Sequence, residues 1–203
     1  MKILSKATQK GFTLIELLVV IGILGILAAA LVATIDPFEQ LKKADDSKIK
    51  NIVVEFQTAN VRYFTTHGAF PWSDPGPAGG SLNTGCYTGV PTTFVEPLQL
   101  SDTRILACIG YIGAEDAAPA YSLIGDGELK SSFAINQADL AKVFISWDST
   151  DPTNMVACYK PTSKSQKVSP ETNYTNAGVA MSAGDKATCA TSTDQTLCFW
   201  CTR

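Results

Sequence analysis

Hydrophobic and polar positions divide this chain into two contrasting parts. Nineteen uncharged residues, Leu17 to Ile35, run without interruption near the N-terminus. A helix of that length covers the roughly 30 Å thickness of a bilayer's hydrocarbon core. Beyond it, apolar residues recur at helical spacing among charged ones. The pattern predicts a membrane-length helix, then an amphipathic helix that packs its apolar stripe on a globular head. The stripe comprises Phe38, Leu41, Ile49, Ile52, Val53, Phe56, Tyr63 and Phe64.

Proline and glycine mark where these helices change. Pro37 removes a backbone hydrogen bond and crowds the preceding turn, so we expect a kink or a locally melted stretch between Thr34 and Pro37. The second helix should end between Thr65 and Gly68, because Gly68 can adopt the left-handed cap conformation and Pro71 is close behind it.

The charges around the apolar run predict its orientation. Lys2, Lys6 and Lys10 precede it with no acid among them, and short lysine-rich flanks stay in the cytoplasm. We therefore expect the chain from about Asp36 onward to lie outside the cytoplasm. Glu16 stands at the entrance of the run, where an unpaired carboxylate costs about 2–3 kcal/mol. It either reaches the interface from the helix start or has a function inside the membrane.

The residues Lys10 to Glu16 read KGFTLIE, a sequence that resembles the processing site of type IV pilins and of the pseudopilins of type II secretion. The resemblance implies cleavage between Gly11 and Phe12 by a membrane aspartic peptidase, the prepilin peptidase, which also methylates the new N-terminus at Phe12. It further implies that Glu16 of one subunit faces the freed amine of its neighbour in a filament. An ordinary signal peptide, cleaved after Ala28–Ala33 near Thr34, is the competing targeting hypothesis.

The pilin resemblance extends to the end of the second helix, because Tyr63 to Trp72 (YFTTHGAFPW) is similar to the helix-exit segment of pseudopilins. It implies an α+β, pilin-like fold in which a long N-terminal helix carries a small C-terminal antiparallel sheet. The expected divisions are a leader (1–11), a transmembrane and filament-core helix (12–35) and an extracytoplasmic head (36–203). Within the head we expect an outer helix half (36–66), a variable loop region (67–141) and a β-sheet region (142–203).

Strand signals concentrate in the last third of the chain, where β-branched and aromatic residues alternate with turn formers. The predicted strands are Lys142–Trp147, Met155–Lys160, Gly178–Met181 and Leu197–Cys201. The segment from Ser73 to Gly85 is rich in glycine and proline and predicts an exposed loop. Short helices are predicted at Val95–Ile109 and Tyr121–Phe133.

All six cysteines come after the apolar run, on the expected outside, where disulfides persist. They are Cys86, Cys108, Cys158, Cys189, Cys198 and Cys201. If Leu197–Cys201 is a strand, Cys198 and Cys201 point to opposite faces and take different partners. The rest of the connectivity stays open. A redox or metal-binding role for this CxxC pair is the less favoured alternative, because no second CxxC exists and the single histidine, His67, is remote.

Candidate ligand sites in the head are sparse. Asp148, Asp151 and Asn154 lie in the run DSTDPTN and could offer oxygen atoms to calcium, although their spacing matches no defined calcium loop and suits ordinary turns. No other cofactor is expected.

The net charge of −3 becomes −6 once a leader with three lysines and no acid is removed, which disfavours nucleic acid as a partner. The one basic cluster is Lys160, Lys164 and Lys167, in a polar stretch predicted to be a loop.

These features favour a structural subunit, a prepilin of a type IV pilus or related filament. Its expected partners are copies of itself and other pilins, prepilin peptidase, the lipids of the cytoplasmic membrane and the assembly platform. It would begin as a single-pass protein with its N-terminus inside and end in an extracellular filament. The alternatives are a pseudopilin of type II secretion or DNA uptake, and a signal-anchored binding domain that never polymerises. We expect no enzymatic activity, since no phosphate loop, zinc-ligand spacing or nucleophile motif is present.

Overall fold

The computed structural model describes residues 11–34, 36–73, 86, 97–111, 121–148 and 151–202. The chain divides into two compact units, Met1–Gln40 and Leu41–Arg203. The first contains the apolar helix, and the second contains most of the amphipathic helix and the sheet.

Helix α1 spans Leu14–Thr34. Apart from Glu16 in its first turn, it is apolar on every side, and each of its side chains from Leu14 to Val32 is exposed in the single chain. The part from Leu14 to Val32 is long and apolar enough to cross a membrane. A helix without a polar face is one that lipid or other helices must cover.

Helix α2 spans Pro37–His67, so the helical path is interrupted after Thr34 as predicted. Asp36 caps the new helix, because its Oδ1 accepts hydrogen bonds from the backbone N–H groups of Phe38 (3.1 Å) and Glu39 (3.3 Å). Pro37 then occupies the first helical position, where its missing N–H costs nothing. At the other end Gly68 adopts a φ of +74° and its N–H bonds to Phe64 O at 2.8 Å, which confirms the predicted cap.

The apolar stripe of α2 is buried over most of its length. Ile49, Val53, Phe56 and Tyr63 are buried, and Ile52 and Phe64 pack against the same core. The first two members of the predicted stripe differ from the rest: Phe38 is 71% exposed and Leu41 is 67% exposed. That part of the prediction is wrong, because the layer that covers the stripe begins only further along the helix.

Five antiparallel strands form the sheet, in the order β1-β2-β3-β5-β4. The strands are β1 (Leu98–Gln99), β2 (Val143–Asp148), β3 (Asp151–Tyr159), β4 (Thr172–Tyr174) and β5 (Phe199–Thr202). The β2–β3 hairpin pairs Val143 with Tyr159 and Trp147 with Met155. Ile145 and Ala157, which pair across this hairpin, are buried in the core shared with α2. Val156, Cys158 and Phe199 form a separate, smaller cluster. The α+β prediction is therefore confirmed.

Short helices connect these strands. They are α3 (Thr103–Ile109), a 3₁₀ turn (Ser131–Ala134), α4 (Gln137–Leu140), α5 (Lys164–Lys167) and α6 (Ala183–Ala187). Asp102 caps α3 by accepting from Arg104 N at 2.9 Å, and Gly110 ends that helix with a φ of +94°. The predicted helix Val95–Ile109 is thus correct only in its second half, since Leu98 and Gln99 pair with β2 instead.

Two other predicted elements are wrong. Most of the segment Tyr121–Phe133 forms bends and turns instead of an α-helix, with Tyr121 at φ 60° and Gly127 at φ 75°, and its end from Ser131 belongs to the 3₁₀ turn. The predicted strand Gly178–Met181 is reduced to one bridge between Ala180 and Tyr174. Strands β1 and β4 were not predicted, and the predicted loop from Ser73 to Gly85 lies, apart from Ser73, outside the described residues.

Candidate processing and assembly site

Gly11 and Phe12 precede the first turn of α1. Both are exposed, Phe12 to 85%, and neither belongs to a helix or strand. A peptidase must bind its substrate backbone in an extended form, which a helical bond could not offer without unfolding. The peptide bond predicted to be cut is therefore exposed and outside regular structure.

Thr13 and Glu16 form a reciprocal cap at the start of α1. Glu16 Oε2 accepts hydrogen bonds from the backbone N–H and from Oγ1–H of Thr13, both at 2.8 Å. The backbone N–H of Glu16 donates in return to Thr13 Oγ1 at 3.3 Å. This is a capping box, in which two N–H groups without helical partners are satisfied by side chains. Glu16 therefore fixes where the apolar helix begins.

The cap would survive cleavage between Gly11 and Phe12. The Thr13 N–H belongs to the Phe12–Thr13 peptide bond, which that cleavage leaves intact. Both bonds to Glu16 fall on Oε2, and Oε1 accepts none from the described part of the chain. The second carboxylate oxygen is therefore not engaged by the described residues of the chain.

Sequence reasoning singled out Glu16 but missed Thr13. The signal was present, because a threonine three residues before a glutamate, just ahead of an apolar run, is the pattern of a capping box. The same pattern explains why an acid is tolerated in the first turn of this helix. The unpaired N–H groups at a helix start carry partial positive charge, and a nearby carboxylate interacts favourably with them.

Residues 6–32 match the family model of the prokaryotic N-terminal methylation motif. The chain carries the prepilin signature of type IV pilins and pseudopilins. The match covers the processing site and most of α1 and stops before the head. No curated protein and no solved structure matches the chain significantly.

Three disulfides join the six cysteines of the chain: Cys86–Cys108, Cys158–Cys201 and Cys189–Cys198. Cys198 and Cys201 take different partners, although only Cys201 lies in β5, and Cys198 precedes the strand with a φ of +69°. Cys158 and Cys201 face each other directly across β3 and β5. With no free cysteine, the CxxC pair has no thiol for redox chemistry or metal binding in this state.

The calcium candidates belong to the β2–β3 hairpin. The backbone of Asp148 pairs with that of Asp151, and Asn154 lies further along β3. The side chains of all three lie outside the described part of the structure, so calcium binding stays a prediction. Among the described residues, no group of three or more His, Cys, Asp or Glu side chains could hold a metal ion.

The basic cluster is not the loop that the sequence predicted. Lys164 and Lys167 lie in α5, and the Nζ of Lys160 donates to the backbone oxygen of Asp194. Lys160 also stands 5.9 Å from the centre of the Phe199 ring. Burial lowers the pKa of Lys160. The three lysines therefore do not form one uniformly exposed surface of the kind that binds a phosphate backbone.

A buried carboxylate connects α2 to the segment after β3. Asp46 is 2% exposed. Its Oδ1 accepts from Thr162 N (2.8 Å) and Thr162 Oγ1 (2.9 Å), and its Oδ2 accepts from Ser163 N (2.9 Å) and Ser163 Oγ (2.6 Å). Four donors offset the cost of burying the charge. This role was not predictable from the sequence, because Asp46 stands in a charged run.

A second set of charges ties α2 to the start of the sheet. Lys48 and Lys142 both contact Asp139, and Lys142 also binds Asp45 Oδ2 at 2.9 Å. The hydrogen bond from Lys48 lowers the pKa of Asp139, and the hydrogen bond to Asp45 raises the pKa of Lys142. His67 stacks on Tyr63 with ring centres 4.0 Å apart, which is a packing role at the end of α2.

Proposed function

We propose that this chain is the precursor of a subunit of a type IV pilus or related filament. The observation that carries the proposal is a processing motif next to an apolar helix with every described side chain exposed. Such a helix needs lipid before assembly and neighbouring helices after it. The contact would be head-to-tail, and an interface of that kind generates an open helical assembly.

Glu16 would set the register of the filament. Its Oε2 is engaged by Thr13, while Oε1 remains available to the methylated amine of Phe12 on a neighbouring subunit. In an apolar core a mispaired charge is expensive, so the pair selects one stacking of subunits over others even where it adds little net stability.

The proposed route through the cell is based on the flanks of α1. The lysine-bearing leader stays inside, prepilin peptidase cuts after Gly11, and the head faces outward until the assembly platform extracts the subunit from the membrane. Disulfides suit such an exported head. The role is structural, and we propose no catalysis.

Two substitutions at Glu16 separate its capping role from its charge. Glu16→Gln keeps an acceptor for Thr13, and glutamine also completes a capping box, but it carries no charge. Glu16→Ala loses both. The proposal predicts that both variants are cleaved at Phe12 and stay in the membrane, and that neither yields filaments. N-terminal sequencing and electron microscopy of sheared material give the readouts, with Glu55→Gln on the head as the control.

Filaments assembled from Glu16→Gln as abundantly as from the unchanged chain would overturn the register role. Mature protein that begins near Thr34, or that still begins at Met1, would overturn the processing step. A protein that is cut at Phe12 yet never polymerises, with the acid intact, would favour a membrane-anchored binding domain.

The machine that the filament serves is a separate question. The head, with its three disulfides, suits an exposed pilus better than a short secretion pseudopilus, and we propose the pilus. Deleting the encoding gene should then remove surface filaments while export of folded proteins continues. Loss of secretion with surface filaments intact would assign the chain to a pseudopilus.

A further inference from the structure

The segment Glu171 to Thr175 reads ETNYT, and Asn173-Tyr174-Thr175 fits the acceptor pattern for N-linked sugars, Asn-x-Thr with x other than proline. The chain has seven asparagines, and Asn173 is the one that meets the pattern. So short a pattern also arises by chance. Its significance therefore depends on where the fold places this residue.

Asn173 is the middle residue of β4, at the edge of the sheet. The pairing with β5 joins Thr172 to Trp200 and Tyr174 to Phe199, which leaves Asn173 as the extra residue of a bulge. A bulge frees one residue from the ladder and turns its side chain away from the regular alternation. Asn173 is partly exposed, while Thr172 beside it is fully buried.

The carboxamide of Asn173 is uncommitted. It makes no hydrogen bond to the described part of the chain, although the backbone oxygen of Asn173 accepts from Met181 N at 2.9 Å. Two other asparagines, by contrast, use their amide groups inside the fold. Asn60 donates to Phe56 O at 2.9 Å, and Asn136 donates to Asp139. Asn173 therefore has a fixed backbone and a side chain that can react without breaking a contact.

The residues after Asn173 form a small surface hairpin. Thr175 N bonds to Val179 O at 2.9 Å, and Gly178 N bonds to Thr175 O at 3.0 Å. The hydroxyl of Thr175 accepts from Val179 N at 3.2 Å, so its proton is free to donate to another group. Val179 and Ala180 are exposed. The pattern thus lies at the end of an edge strand, where the hairpin begins, and its three residues are partly exposed.

We propose that Asn173 is an N-glycosylation site, modified by an oligosaccharyltransferase that uses a polyprenyl-pyrophosphate-linked oligosaccharide as donor. The Asn173 Nδ2 attacks the anomeric carbon, the bond from that carbon to the pyrophosphate oxygen breaks, and the proton lost from Nδ2 passes to a base of the transferase and then to water. The products are the glycosyl-asparagine and the free polyprenyl pyrophosphate, with no change of oxidation state. The site rests on the proposed export of the head, because the enzyme and its donor face outward. A glycan there would extend into solvent from the rim of the sheet.

The test uses protein purified from the organism that produces it. Trypsin should release the peptide from Val168 to Lys186, which contains Asn173 and Asn176 and no cysteine. Mass spectrometry is expected to find a sugar on Asn173. Asn173→Gln and Thr175→Ala should each abolish the modified peptide completely, whereas Thr175→Ser and the neighbouring Asn176→Gln should retain it. Thr175→Ser keeps the hydroxyl that accepts from Val179, so it also controls for folding.

The N-terminus of the same preparation distinguishes failure of this site from failure of the proposed function. An unmodified Asn173 in protein that begins at Phe12 would overturn the glycosylation site and leave the prepilin intact. Sugar on a serine or threonine of that peptide, or modification that persists in Thr175→Ala, would also overturn it. A glycan on Asn173 in protein that still begins at Met1 would support the site and contradict the processing.

Discussion

Single polar residues at the starts of the first two helices fix where each helix begins. Glu16 caps the start of α1 with Oε2, and its Oε1 accepts no hydrogen bond from the described residues. Asp36 caps α2 directly before a proline that could not continue α1. In both cases a polar side chain satisfies N–H groups that a helix start leaves unpaired, and removing such a cap costs about 0.5–2 kcal/mol. The boundaries of the apolar helix are therefore set by the polar residues beside it.

Gly178 is required by both its backbone and its surroundings. Its φ is +75°, and a Cβ built there would lie 2.5 Å from Val156 Cγ1. We predict that Gly178→Ala lowers the free energy of unfolding by about 3 kcal/mol, from left-handed strain and from displacing a buried β3 side chain. Denaturant unfolding of the mature protein in detergent micelles measures this change in the free energy of unfolding.

Gly127→Ala is the matched control, since Gly127 has the same φ of +75° with nothing within 4 Å of its added Cβ. Gly127→Ala should lower the free energy of unfolding only by the cost of placing an alanine in the left-handed conformation, about 1–2 kcal/mol. Equal losses in the two variants would show that the contact with Val156 contributes nothing.

At the scale of elements, two adjacent acids, Asp45 and Asp46, attach α2 to the sheet region, and we expect them to contribute very different amounts to the free energy of unfolding. We predict that Asp46→Ala lowers the free energy of unfolding by about 3 kcal/mol, because four donors from Thr162 and Ser163 lose a buried charged acceptor. Asp45→Ala removes only an ion pair whose side chains are 39% and 46% exposed, and should cost less than about 1 kcal/mol.

Denaturant unfolding monitored by tryptophan fluorescence compares the two variants directly. A loss for Asp45→Ala as large as that for Asp46→Ala would mean that the exposed pair contributes as much as the buried carboxylate, which would contradict the prediction. The neighbours differ by one position in the sequence, so local helix propensity is the same for both.

The sequence predicted those elements whose signal is local. The two helices, the break at Pro37 and the cap at Gly68 arise from periodicity and from the chemistry of proline and glycine. Strands β1 and β4, with two and three residues, are too short to show alternation and exist because a longer strand lies beside them. Between Tyr121 and Phe133 a helical composition is overridden by glycines at Gly125 and Gly127, and turns result.

At the scale of the whole molecule, the N-terminal methylation motif could be recognised from the sequence, and the connectivity of the head could not. The motif is a continuous stretch, residues 6–32, so it can be read from neighbouring residues alone. The partners of Asp46 are separated from it by more than a hundred residues. Cys158 and Cys201 are similarly brought together by the register of β3 and β5, across a separation of 43 residues. Long-range pairing of this kind leaves no periodic trace in the sequence.

The disulfides that close loops of different length should contribute unequally to stability. Cys158–Cys201 closes a separation of 43 residues, and Cys189–Cys198 closes one of 9. If each bond acts mainly by restricting the unfolded chain, the longer loop contributes about 1.4 kcal/mol more. We predict that Cys158→Ala/Cys201→Ala loses more free energy of unfolding than Cys189→Ala/Cys198→Ala by about that amount. Equilibrium unfolding without reductant measures both, and equal or reversed losses would show that native-state packing around the bonds outweighs chain entropy.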